Sequence, residues 1–225
     1  METTEPRQQV LQTPRAAGLA GVVFAVLLTA MIVLIRLGIP EGADAPAPEA
    51  SADPVRLSSV RAALALVPFA GIFFLWFVGV VRTHIGAAED KFLATVFLGS
   101  GLIFVATLFE AAAAAAAVLD TTPPSRGAPG GPTWAYGRHF AYTLMIDYAM
   151  RMAAVCTCSL SAIAYRIGVL PRWLALLGFL TVLTLLFVAT AVPWSDLVFP
   201  AWALLVSVHI LTAWGHSRPG APAAA

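Results

Sequence analysis

Apolar residues in this chain do not alternate, and they do not recur at spaced positions. They run unbroken through six stretches, residues 16–37, 60–82, 92–118, 140–165, 173–192 and 197–214. A helix rises about 1.5 Å per residue, so roughly 20 apolar residues cross a hydrocarbon core about 30 Å thick. Each stretch is close to that length or beyond it. Backbone polar groups in lipid must be satisfied within their own segment, which makes such stretches helices. A β-barrel would show alternation every second residue, and none is present. The pattern predicts an all-α, polytopic membrane helix bundle with six transmembrane helices and a single transmembrane domain over residues 1–225.

Composition agrees with the pattern. The chain is 60% hydrophobic and 11% charged, outside the range of soluble domains. A net charge of +1 without a basic run gives no reason to expect a nucleic-acid partner; the bilayer is the expected surroundings. Arg7 and Arg15 precede the first apolar stretch as in a signal peptide, but the stretch is too long for a signal core and reads as an uncleaved span.

Positive charges set the orientation. With the N-terminus inside, Arg7, Arg15, Arg82, Lys91, Arg166, Arg172 and Arg218 lie on the cytoplasmic side, against Arg36, Arg56, Arg61, Arg126 and Arg138 outside. The expectation is a multi-pass plasma-membrane protein with both termini cytoplasmic. The outer loops, residues 40–57 and 121–137, are rich in Pro, Ala and Gly and read as extended connections, and residues 219–225 read as a disordered tail. Trp134, Tyr136, Trp173, Trp194 and Trp214 suit anchors at the headgroup level.

Inside the spans, Pro68 and Gly71 predict a kink, and the small residues Gly99, Ser100, Gly101 and Ala111 to Ala117 predict close helix packing. Gly99-Ser100-Gly101 with the distant His209 resembles the nucleophile and base of rhomboid intramembrane proteases. Leu98, however, stands where that family has its first glycine, and Ser100 falls on the third span rather than the fourth. A packing notch is the better reading of these residues. No other catalytic signature occurs, so nothing points to an enzyme, and no cofactor or metal site is expected. Cys156 and Cys158 point about 200° apart on a helix and cannot pair with one another.

The fourth span is the most informative. Thr143, Asp147, Arg151, Ala154, Cys158, Ser161 and Tyr165 fall on one stripe, with Tyr142, Met145, Ala149, Met152, Cys156 and Leu160 opposite. Asp147 and Arg151 are spaced to pair. Counted from the outer ends of their spans, Glu110 and Asp147 both lie ~12 Å deep and Arg151 ~18 Å, within reach of both carboxylates. Glu110, Asp147 and Arg151 therefore form a candidate intramembrane polar cluster, with His209 of the sixth span as a further polar group. Such a cluster serves either as a structural clamp between helices or as a proton or substrate site.

The segments Val67-Pro68-Phe69-Ala70-Gly71-Ile72, Trp76-Phe77-Val78-Gly79-Val80 and Phe92-Leu93-Ala94-Thr95-Val96-Phe97-Leu98-Gly99-Ser100-Gly101 resemble uncharacterised multi-spanning integral membrane proteins of high-GC Gram-positive bacteria. The resemblance covers spans two and three best. It implies a membrane protein without assigned activity and supplies no site residues. Two functions remain open: a structural or regulatory membrane partner, and a small proton-coupled or solute transporter; the expected partners besides the bilayer are another membrane protein or further copies of the chain.

Overall fold

The computed structural model describes residues 14–38, 54–85, 91–120, 132–189 and 191–215, and within them the chain is helical without strands. Helix α1 runs Pro14–Gly38, α2 Pro54–Ile85 and α3 Lys91–Asp120. Helix α4, Pro132–Tyr142, passes through a π-helical segment, Thr143–Ala149, directly into α5, Met150–Ile167. Helix α6, Arg172–Leu183, continues into a second π segment, Thr184–Val188. A 3-10 turn, Ser195–Leu197, then leads into α7, Val198–Gly215.

Proline and glycine place several of these boundaries. Pro54 and Pro132 open α2 and α4, where a missing N–H costs no helical hydrogen bond. Helix therefore begins inside both stretches read from sequence as loops: residues 54–57 and 132–137 are helical. The remainder of those loops and the 219–225 tail lie outside the described residues. Gly168 stops α5 in the left-handed conformation, φ 73°, and its N–H donates to the Ala164 carbonyl. Extended Pro171 then precedes α6. Helix α2 runs through Pro68 without interruption.

Four segments are long and apolar enough to cross a membrane: Gly18–Gly38, Pro54–Arg82, Lys91–Ala117 and Ser195–Ala213. Arg172–Val188 is apolar but shorter, and the α4–α5 rod is long but carries Asp147 and Arg151. Five of the six apolar stretches are helical throughout and the fifth in order is helical as far as Val188, while four segments are long and apolar enough to span a membrane.

The helices pack in a ring that follows chain order. α1 lies on α2, α2 on α3, α3 on the α4–α5 rod, α5 on α6, α6 on α7, and α7 closes against α1. In the centre, Phe24 of α1, Phe74 of α2, Phe104 of α3 and Phe199 of α7 form one aromatic knot. Every pair of the four rings is in contact, with centroids from 4.7 Å for Phe24–Phe74 to 6.5 Å for Phe74–Phe199. Tilted and edge-on rings at these separations attract beyond their buried area. All four are essentially inaccessible, so apolar side chains fill the middle of the ring.

Close approach between helices depends on small residues at defined points. Gly178 of α6 faces α5, where Ser161 Oγ occupies the space a Cβ on Gly178 would need. In the alanine run, Ala111 and Ala115 are buried one turn apart while Ala113 and Ala117 are exposed, so only one side of that run packs inward.

Candidate functional site

Polar side chains in the bundle mostly bond to their own helix. The hydroxyls of Thr29, Thr107, Ser159, Thr181 and Ser207 each donate to the carbonyl four residues earlier. Ser100 Oγ does the same, donating toward Val96 O at 2.7 Å and Phe97 O at 3.2 Å. No hydrogen bond joins Ser100 to His209, and the hydroxyl is turned onto its own backbone as a packing residue would be. Among the described residues no three His, Cys, Asp or Glu side chains gather as a metal site.

Among the described residues, two of the ion pairs join side chain to side chain instead. The first joins Arg36, near the end of α1, to Asp196 in the 3-10 turn before α7, with Nη2 donating to Oδ2 at 3.2 Å. Both side chains are buried, 6% and 0% exposed. Trp194 lies 5.5 Å from the Arg36 guanidinium carbon, ring face toward the charge. Its backbone is left-handed, φ 70°, which is strained for a bulky residue; among the described residues it is the one non-glycine with positive φ. The left-handed step turns the chain so that Asp196, two residues on, points inward under α1. Asp196 Oδ1 is buried without a hydrogen-bond partner, as is Nη1 of Arg56 at the start of α2.

The second pair is Asp147–Arg151, with Nη2 donating to Oδ1 at 3.1 Å. The predicted spacing brings these two together. Unlike the first pair it lies on the outside of the bundle, with the arginine 47% and the aspartate 33% exposed. Asp147 sits in the π segment, where one helical turn is widened.

The other two candidates stand apart from this pair. Glu110 is exposed on α3 and forms no ion pair with Arg151. His209 is half-buried on α7, 13 residues from Asp196 and thus roughly 20 Å along the helix from that end. Its carbonyl accepts from Thr212 Oγ1.

Three of the charged residues share one level along the bundle. Ile35 of α1 lines one small apolar pocket with Ala111 and Ala115 of α3 and with Ala141, Tyr142 and Met145 of the α4–α5 rod. Arg36, Glu110 and Asp147 each lie within two residues of a member of that lining, so they share a layer about one turn, ~5.4 Å, thick. That layer is two residues from Gly38, where α1 ends. Helices α3 and α4 continue past it. The charges form a layer near this rim of the bundle.

The stripe read along the fourth span also splits. Tyr142, Met145, Ala149, Cys156 and Leu160 are buried as the apolar side should be. Ala154 and Ser161, assigned to the polar side, are fully buried as well, whereas Asp147, Arg151, Cys158 and Tyr165 face outward to differing degrees. Neighbouring helices on both sides of α5 cover the edges of the stripe and leave only a narrow strip open.

Sequence reading did not find the Arg36–Asp196 pair. Its partners are 160 positions apart. The available signal was a lone arginine closing the most hydropathic candidate span, which demands a counter-charge without naming it. No protein-family model, curated protein or solved structure matches this chain.

Proposed function

We propose that this chain is a six-span plasma-membrane protein that acts as a structural or regulatory partner within the bilayer. In this reading α1, α2, α3, the α4–α5 rod, α6 and α7 each cross once, and both termini are cytoplasmic. Arg82, Lys91, Arg166 and Arg172 then form the inner basic rim. The observation that carries the reading is the aromatic knot. Phe24, Phe74, Phe104 and Phe199 occupy the axis a carrier would keep open to water, while the Asp147–Arg151 pair sits on the outer wall. A partner protein acts through such outward surfaces. The resemblance of spans two and three to multi-spanning bacterial membrane proteins is in keeping with this and adds no activity.

Co-purification from native membranes in mild detergent, followed by mass spectrometry, tests the reading. Stoichiometric recovery of another membrane protein, or of the chain as a homo-oligomer, supports it. Recovery only as a monomer opposes it.

A second reading is a small proton-coupled or solute carrier using Glu110, Asp147, Arg151 and His209. One observation favours it: Asp147 lies in a π-helical turn, a geometry that recurs at functional sites. Reconstituted Asp147→Asn/Arg151→Met protein decides this. Loss of a wild-type flux with folding intact supports a carrier, and an unchanged flux removes the pair from transport.

A further inference from the structure

The open strip of α5 has a period of its own. Tyr148, Arg151, Val155, Cys158, Ala162 and Tyr165 follow one another by three, four, three, four and three residues, the 3.5-residue repeat of a helix–helix seam. Tyr148, Arg151 and Tyr165 are exposed and rise at the two ends. Val155, Cys158 and Ala162 between them are half-buried. The small side chains of Cys158 and Ala162 let a second helix approach closely in lipid. The seam runs ~21 Å from Arg151 to Tyr165, most of the hydrocarbon thickness. Its apolar middle therefore faces acyl chains and its polar end lies in the rim layer.

Charge at the rim indicates which helix fits. We propose that α5 docks against α5 of a second copy of this chain, in a parallel, two-fold symmetric pair. The proposal rests on the membrane-spanning reading above, because the bilayer is what holds two copies parallel. About a two-fold axis along the membrane normal, each seam residue meets its own counterpart. The Asp147–Arg151 pair is then self-complementary. The long arginine of each copy spans one turn to the partner's aspartate, and four charges alternate in a closed square. Each ion gains a second counter-charge. A heterologous helix would need its own acid and base at matching depths; a second copy has them already.

Cys158 reports on this directly, because it lies on the seam whereas Cys156, two residues away, is buried against the bundle interior. A disulfide requires Cα atoms within about 7 Å, which symmetric docking provides at Cys158 and at no position outside the seam. The experiment is mild oxidation of the full chain in native membranes. Expected is a reducible band at twice the monomer mass, kept in Cys156→Ser and lost in Cys158→Ser. In a cysteine-free chain, Val155→Cys and Ala162→Cys restore it. Val26→Cys, exposed on α1 across the ring, gives at least fivefold less. Arg151→Asp sets four carboxylates together and lowers the Cys158 band at least fivefold; adding Asp147→Arg to it returns the band.

Absence of a band from all three seam positions overturns the proposal, as does an equal band from Val26→Cys or a disulfide to a different protein. Alkaline carbonate extraction of the same membranes separates the two readings. A chain released by carbonate refutes the membrane-spanning reading itself. A chain that stays in the membrane without a seam cross-link refutes only the paired α5 helices.

Discussion

Arg36 reaches Asp196 across 160 positions of sequence, whereas Arg151 reaches Asp147 across four. Both pairs lie in the same rim layer, and both bring Nη2 to a carboxylate oxygen at just over 3 Å. Their surroundings differ. The first is buried at the α1–α7 contact, capped by Trp194, and joins the first helix to the last. The second stays on one helix and faces outward. Burial strengthens the attraction between charges and also removes the water that would compensate a lone one. A pair that closes a ring of helices cannot be halved without harm, whereas a pair along one exposed helix can. The first therefore serves the fold, and the second is free to serve contact with another molecule.

The sharpest way to break the contrast is to remove one carboxylate. Asp196→Ala leaves the Arg36 guanidinium buried beside no counter-ion. It is expected to cost about 3–5 kcal/mol, seen as a large drop in the thermal unfolding midpoint of detergent-solubilised protein. If Asp196→Ala melts with the wild type, the buried pair contributes nothing to closure.

Trp194 offers a finer cut. Trp194→Ala loses the ring over Arg36 and keeps a left-handed non-glycine residue, for an expected loss of about 0.5–2 kcal/mol. Trp194→Gly loses the same ring but relaxes the backbone, and should be about 1 kcal/mol more stable than the alanine variant. Chemical denaturation of the two side by side gives the difference. Equal stabilities would mean that φ at residue 194 is not positive in solution.

Arg151→Met tests the outer pair in the same assay. Solubilised as a monomer it should lose under about 1 kcal/mol, several times less than Asp196→Ala, and a comparable loss would erase the distinction drawn here. The smallest change is expected from the double variant Arg36→Met/Asp196→Leu. Replacing a whole buried pair with apolar groups is often neutral or stabilising. Its midpoint should lie near the wild type and well above that of Asp196→Ala. A double variant as unstable as the single one would show that the pair supplies more than mutual neutralisation.

Much of the fold is legible in the sequence because lipid leaves a long apolar segment one secondary structure to adopt. Each of the six stretches forms a helix, the fifth only as far as Val188, and the Asp147–Arg151 contact follows from a spacing of four. What could not be read depends on relations between helices. Nothing local ties Arg36 to Asp196, since the pairing exists only once α7 closes against α1. The stripe of the fourth span divides because α3 and α6 cover its edges, which buries Ala154 and Ser161 while Cys158 stays partly open.

The aromatic knot has a consequence for how the chain is made. Three of its rings, Phe24, Phe74 and Phe104, belong to the first three helices, and the fourth, Phe199, to the last. Translation at 5–20 residues per second separates Phe104 from Phe199 by on the order of 5–20 s. Until Phe199 arrives, the three earlier rings lack their fourth neighbour. Helix α7 supplies that ring and, through Asp196, the counter-charge that Arg36 of α1 has lacked since it was made.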